Sequence, residues 1–264
     1  MKIDAAIVGM QAGPDEQRVD KRWIMAYNAA LGELSDKAHP LFPVSYEWPA
    51  TQALRKSSGL QEINARLVHA QHDLALHREI VAGDVLSVTA RIVAATQRRP
   101  GTFVVFRLSA QDARGEPVST THYGMLYRGV ELENGERTLE QVEDPPASAT
   151  SLERAGEIAI SGTAAHVYTE CARIWNPIHT DPDYARAAGL PGIILHGTAT
   201  LALSISRMVS FFKIESVKRV RCRFSGMVFM PSTLTVHASR ADDAIAFETR
   251  DARGAVVIER GWIG

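Results

Sequence analysis

Four stretches in the first half of the chain have the composition and apolar–polar alternation of half-buried β-strands: Leu67–Arg78, Val85–Gln97, Thr102–Ala110 and Val118–Arg128. Ala82-Gly83-Asp84 separates the first two. Upstream, Val19–Leu34 carries apolar residues at helical spacing and predicts a helix. The second half opens with Thr163–Ala172, which reads as a strand, and closes with strand candidates at Val217–Phe229, Ser232–Ser239, Ala244–Thr249 and Val256–Trp262. Between these lies a short helical stretch, Pro182–Ala188, with Asp181 as its expected N-cap and Pro182 at its first position. The tetrapeptide Asp-Ala-Arg-Gly occurs at Asp112–Gly115 and again at Asp251–Gly254, each time between two β-rich segments near the end of a half. Both copies predict hairpin turns, with Asp at the entry and Gly supplying a positive φ.

No strand–helix–strand rhythm runs through this pattern, so the class is α+β with antiparallel sheets, built as two similar halves. The segment Glu131–Glu157 is polar and acidic and holds Pro145-Pro146, the composition of a linker. The expected organisation is a first domain over 1–132, a linker over 133–154 and a second domain over 155–264.

Composition narrows the function. Of the 264 residues, 45% are hydrophobic and 22% charged, which is ordinary for a packed globular chain, and the formal net charge is -1. No global field favours nucleic acid or an anionic membrane. The basic runs Arg98-Arg99 and Lys218, Arg219, Arg221, Arg223 are short; they fit a solvated strand face, or contact with CoA-type phosphates. Two cysteines, Cys171 and Cys222, make neither a disulfide framework nor a metal-ligand spacing. Met1-Lys2-Ile3-Asp4 lacks a signal-peptide layout and no apolar run reaches membrane-spanning length, so a cytoplasmic location is expected, with no membrane and no nucleic-acid partner. A phosphate-binding glycine loop, a zinc helix, a Gly-x-Ser-x-Gly elbow and a dinucleotide fingerprint are all missing, which predicts no metal and no nicotinamide.

Candidate chemistry concentrates between Ala172 and Val209. Arg173, Asn176, His179 and Asp181 crowd together, and His196-Gly197 stands ahead of a long apolar helical pattern. The motifs Asn176–Asp181 (Asn-Pro-Ile-His-Thr-Asp), Ile194–Gly197 (Ile-Leu-His-Gly) and Phe224–Leu234 resemble the MaoC-like family of (R)-specific enoyl-CoA hydratases and dehydratases. In the first half, His39–Val44 and Leu67–Val88 resemble the companion domain of that family. The resemblance covers nearly the whole chain. It implies two tandem hot-dog units, a double hot dog, each with a long central helix wrapped by a curved antiparallel sheet. The first unit would be non-catalytic. The central helix of the second would run over about His196–Phe212, where the apolar residues Leu201, Leu203, Ile205, Met208, Val209 and Phe212 suit a helix buried on much of its surface.

Adding water to an α,β-unsaturated thioester needs a proton-transfer group and a donor for the negative charge growing on the thioester oxygen. The resemblance makes His179 the acid/base, Gly197 the amide donor at a helix start, and Asn176 a positioner. Ile174, Arg173, His196 and Thr198 are the candidate substrate-binding residues, with His196 expected to support the helix start rather than react. The family pattern is Asp-x-Asn-Pro-x-His, and here Ile174 occupies the aspartate position. Isoleucine cannot accept a hydrogen bond or hold an imidazole tautomer. Three readings stay open: a carboxylate from elsewhere, Glu170 or Asp181, serves His179; His179 acts alone on a more activated substrate, as in β-elimination, or the fold carries other thioester chemistry such as hydrolysis; or the chain binds an acyl thioester without turning it over, as a partner subunit in a heteromer. The implied ligand is an acyl-CoA-type small molecule of fatty acid metabolism, no further cofactor is called for, and a homodimer or a heteromer with another MaoC-like chain is expected.

Overall fold

The structure, a computed structural model, describes residues 1–147, 151–242 and 244–264. Its elements are β1 (Lys2–Asp4), β2 (Gln11–Arg18), α1 (Lys21–Ala30), α2 (Pro43–Ser57), β3 (Leu67–Leu76), β4 (Val85–Arg98), β5 (Gly101–Gln111), β6 (Pro117–Arg128), β7 (Glu131–Glu133), β8 (Arg137–Thr138), β9 (Glu153–Ile160), α3 (Ala164–Ala172), α4 (Pro182–Ala187), α5 (Gly197–Phe212), β10 (Arg219–Phe224), β11 (Ser232–Ala241), β12 (Ala244–Arg250) and β13 (Val256–Ile263). They form two compact units. One contains Met1–Arg18, Tyr46–Glu79 and Asp84–Asp144; the other contains Val19–Ser45, Ile80–Gly83 and Pro145–Gly264. The units are therefore not the consecutive segments 1–132 and 155–264: the chain donates residues 19–45 to the second unit before it builds most of the first. The expected linker over 133–154 holds the last residue of β7, all of β8 and the start of β9, and its residues 148–150 lie outside the described residues.

In the first unit the sheet order is β2-β4-β5-β6-β3, antiparallel throughout, with β8 on β4. The four strands expected from alternation are β3 to β6. The helix over this sheet is α2 from Tyr46 onward, not the expected Val19–Leu34. It buries Tyr46, Glu47, Ala50, Thr51, Leu54 and Arg55, pairs one turn apart on one face. Tyr46 Oη bonds Ser119 Oγ at 2.8 Å, and Glu47 accepts from Thr121 Oγ1 at 2.5 Å and Tyr123 Oη at 2.6 Å, which registers the helix against β6. Polar residues on the buried face and Pro49 within the helix hide its period in the sequence. The predicted helix does exist as α1, capped by Asp20 onto Trp23 N at 2.8 Å, but it packs in the second unit.

The second unit repeats the plan, with antiparallel order β10-β13-β12-β11-β9. Its long helix α5 buries Ala199, Thr200, Leu201, Ala202, Ser204, Ile205 and Met208, and Ser204 Oγ bonds Thr249 Oγ1 on the sheet at 2.8 Å. The expected strand Thr163–Ala172 is instead the helix α3. Ala165, Tyr168, Thr169 and Ala172 are buried, an i, i+3, i+4, i+7 set; the run Val167-Tyr168-Thr169 had suggested a strand by residue type alone. His39 fastens the α1–α2 connection: its Nδ1 accepts from Leu41 N at 2.9 Å and its Nε2 donates to Ser206 Oγ on α5 at 3.2 Å.

The two Asp-Ala-Arg-Gly turns have the same construction. Asp112 Oδ1 accepts from Arg114 N and Glu116 N, and Asp251 Oδ1 accepts from Arg253 N and Ala255 N. Gly115 and Gly254 follow at φ +83° and +79°. Among the described residues no helix is long and apolar enough to cross a membrane.

Candidate active site

The site grows from the end of α3. Arg173 terminates that helix in the left-handed region, φ 56°, and Ile174 N returns to Thr169 O at 3.0 Å. Asn176 is extended, and Pro177 sets φ for a single 3-10 turn, Pro177–His179. Asp181 N reaches back to Pro177 O at 2.8 Å and closes the loop. On the far side, Ile194 pairs with Phe229, Leu195 N bonds Val228 O at 2.8 Å, and α5 begins two residues later.

These two segments meet at a pair of imidazoles. His179 and His196 stack with ring centroids 3.6 Å apart and planes 23° from parallel. Both are buried, His179 at 8% and His196 at 3% exposure. His179 Nδ1 lies 2.8 Å from the Ile194 carbonyl oxygen. A carbonyl only accepts, so Nδ1 carries the proton and Nε2 keeps its lone pair. Burial lowers His179 to about 4, against the opposing pull of the Ile194 carbonyl. Burial and the neighbouring His179 hold His196 well below the usual imidazole range. Both rings are neutral at pH 7. His196 Nε2 contacts Thr169 Oγ1 at 3.3 Å, and its ring lies 5.0 Å from that of Tyr168.

His196 is also the N-cap residue of α5, with no side-chain capping bond, and Gly197 is the first helical residue. The first-turn amides are thus left without a side-chain cap. A Cβ on Gly197 would come within 3.3 Å of the Phe224 ring, so glycine keeps this approach narrow but open. Asn176 is half-buried, and its Oδ1 is enclosed with no hydrogen-bond partner among the described residues.

The remaining predicted residues fall elsewhere. Glu170 is exposed on α3; the helix removes the strand geometry that would have placed it beside Ile174. Asp181 is exposed, and its carboxylate caps α4 by accepting from Asp183 N at 2.9 Å and Tyr184 N at 3.0 Å. Arg173 is exposed, with its guanidinium 4.0 Å over the Trp23 ring and 3.9 Å from Asp20, turned toward α1. Ile174 is buried at 4% exposure. Among the described residues no carboxylate pairs with His179. Thr198 is in the first turn of α5, directly after Gly197. Tyr168, Thr169 and Tyr27 escape a reading of the sequence: the first two lie in the misassigned strand, and nothing in the sequence links Tyr27 to a motif so far downstream.

Residues 146–260 match the MaoC like domain, and residues 35–121 match the FAS1-like dehydratase domain region. The second half of the chain thus carries a MaoC like domain. Mouse peroxisomal multifunctional enzyme type 2 is 26% identical over 225 residues, 80% of this chain and 29% of that protein. 3-Hydroxyacyl-thioester dehydratase X of Mycobacterium tuberculosis is 24% identical over 233 residues, 86% of this chain and 79% of that one. The chain therefore spans less than a third of the mouse enzyme and most of the mycobacterial one. Among solved structures, a MaoC-like dehydratase from Phytophthora capsici superposes with a TM-score of 0.82 at 18% identity, covering 98% of this chain and 96% of that one. A Mycobacterium tuberculosis protein described as a double hot-dog fold superposes at 0.66 with 14% identity, covering 97% and 94%. The fold of this MaoC-like chain is thus the double hot dog.

Proposed function

We propose that this MaoC-like chain is a hydro-lyase that adds water to, or removes it from, an acyl thioester, with His179 working without a carboxylate partner. The observation that carries this reading is the His179 ring, fixed by the Ile194 carbonyl with Nε2 unprotonated and stacked on the residue that caps α5. Nε2 of His179 and Oδ1 of Asn176 are both acceptors. A water molecule, with two protons to donate, is the natural bridge between such groups. In the hydration direction Nε2 takes one proton from that water and the oxygen adds to the β-carbon. Charge moves to the thioester oxygen, where the Gly197 amide and the helix dipole stabilise it. The imidazolium then returns its proton to the α-carbon.

The substrate is an acyl thioester of the CoA type, the reaction uses no resident cofactor, and the working location is cytoplasmic. The chain acts as a homodimer or beside a second MaoC-like chain. One observation favours a second reading, a subunit that binds a thioester without turning it over: the buried residue five positions ahead of His179 is Ile174, and no described carboxylate reaches His179. Purified protein incubated with enoyl-CoA and 3-hydroxyacyl-CoA thioesters of graded chain length separates the two. Interconversion of the pair supports the lyase. Ligand binding with no interconversion supports the binding subunit, and release of free CoA thiol would replace both with hydrolysis.

A further inference from the structure

The side chain of His196 does nothing for the helix it begins. His196 is the N-cap residue of α5, yet its imidazole makes no capping bond. Serine, threonine, aspartate or asparagine would supply one. The ring lies flat against His179 instead, with centroids 3.6 Å apart and planes 23° from parallel.

Two consecutive residues of α3 orient that ring. Thr169 Oγ1 is 3.3 Å from His196 Nε2, and the Tyr168 ring lies 5.0 Å away, tilted by 54°. Tyr168 is itself anchored, since its hydroxyl oxygen is 3.2 Å from that of Tyr27. Tyr27 Oη donates to the Leu41 carbonyl at 3.1 Å, so its single proton is used there and it accepts from Tyr168. Every residue in this series, from Leu41 to His179, belongs to the second unit.

His179 has a use for such a neighbour. Its Nδ1 donates to the Ile194 carbonyl at 2.8 Å, which holds one edge of the ring. A hydrogen bond at one edge sets a direction but lets the ring roll about it, and rolling sweeps the opposite nitrogen sideways. A flat side chain in contact with the face blocks the roll, because tilting would drive packed atoms into overlap. The gain is large for a proton-transfer group, where a misplacement of about 1 Å can cost about 10²-fold in rate. Burial and the nearby His179 keep His196 neutral, so a proton arriving on His179 meets a π face rather than a second cation.

We propose that His196 is a positioning residue whose face, set by Thr169 and Tyr168, stops the His179 ring from rolling and keeps Nε2 aimed at the reacting water. This rests on reading His179 as the proton-transfer group. It brings α3 into the site through Tyr168 and Thr169, and the segment Val19–Ser45 through the Tyr27 anchor.

The test uses the full chain with His196→Ala, His196→Phe, Thr169→Val and Thr169→Ser. It reads the order parameter of the His179 ring Cδ2–H bond from carbon relaxation in unliganded protein and, separately, kcat and KM for thioester hydration. His196→Ala and Thr169→Val should both lower the order parameter, and should reduce kcat by about 10-fold with little change in KM, as expected when alignment is lost mainly in the transition state. His196→Phe returns a flat ring and should raise the order parameter above that of His196→Ala and recover kcat by about 3-fold or more relative to it. Thr169→Ser keeps the hydroxyl and should keep the wild-type order parameter. An order parameter unmoved in either His196→Ala or Thr169→Val overturns the proposal, as does a His196→Phe value no higher than that of His196→Ala. An unchanged kcat in His196→Ala, with an active wild type, overturns it too. If His196→Ala does not fold, Thr169→Val set against Thr169→Ser decides. Lack of turnover by the wild type would remove the lyase reading, while the order parameters would still decide whether His196 positions the ring.

Discussion

Lowering the pH is the perturbation that separates a carboxylate-free imidazole from an ordinary catalytic one. A histidine at its usual 6.5 is mostly protonated at pH 5 and retains about 3% of its basic form. His179, lowered to about 4 by burial, would retain about 90% at the same pH by the same relation. The two cases differ by about 30-fold in available base. If His179 is the proton acceptor in the free protein, kcat/KM for hydration should stay nearly flat from pH 8 down to about 5 and fall only toward 4. An aspartate partner would favour the imidazolium and move that limb upward. The fold must survive the titration. A group lowered on folding adds stability above its unfolded value and loses it as pH falls toward the folded one. His39 at about 3, and His69 and His179 at about 4, all act this way. At pH 5 each of these costs about 2 kcal/mol relative to neutral pH. The kinetic profile therefore has to be taken alongside far-UV circular dichroism. A limb near 6.5 with the fold intact would refute the assignment of a neutral, unassisted His179.

Three further outcomes follow from the same physics. Glu47 is raised to about 7 by burial, so its contribution to stability is complete below its ordinary 4.5 and is lost as pH rises through 7; Glu47→Gln should abolish that loss, about 3 kcal/mol by pH 8, which urea unfolding at pH 5 and pH 8 would reveal as a changed pH dependence. Ile174→Asp would place a carboxylate five residues ahead of His179 and should raise kcat/KM by roughly 10²-fold or more while moving the acid limb upward, at a stability cost of a few kcal/mol for the lost buried side chain; a folded variant with no gain would show that a carboxylate at this position is not what limits the site. Asp251→Ala removes the acceptor for Arg253 N and Ala255 N and should lower stability by about 1–3 kcal/mol in denaturant titration; Asp112→Ala, in a turn built the same way, should shift the midpoint in the same direction.

Legibility in the sequence tracks how cleanly each element separates its inside from its outside. Strands β3 to β6 and β11 to β13 are rich in β-branched and aromatic residues, and their expected limits lie within two residues of those observed. β10 ends at Phe224, earlier than the expected Phe229. The Asp-Ala-Arg-Gly turns were readable because a carboxylate and a glycine at fixed spacing impose one geometry. Helix α5 is apolar over most of its surface, and the family resemblance placed it to within one residue. α2 was missed because Glu47, Thr51 and Arg55 are buried on its inner face, and α3 because β-branched and aromatic residues outweighed a four-residue helical period. The donation of residues 19–45 to the second unit depends on tertiary packing that no local pattern reports. At the site, His179, His196 and Gly197 were found by motif and are neighbours in the structure. Glu170, Asp181 and Arg173 were chosen for closeness along the chain, and the turn of α3 and the cap of α4 carry them away. The Tyr27–Tyr168 contact joins helices 141 residues apart and could only come from the folded chain.

The central claim is that the His179 imidazole moves the proton. Its most direct measurement is hydration of one enoyl-CoA by wild type and by His179→Asn, which keeps a polar side chain in the pocket but cannot take a proton. The account predicts turnover by the wild type and a loss of at least about 10²-fold in kcat for the variant at matched fold. Equal kcat values for the two proteins would contradict it.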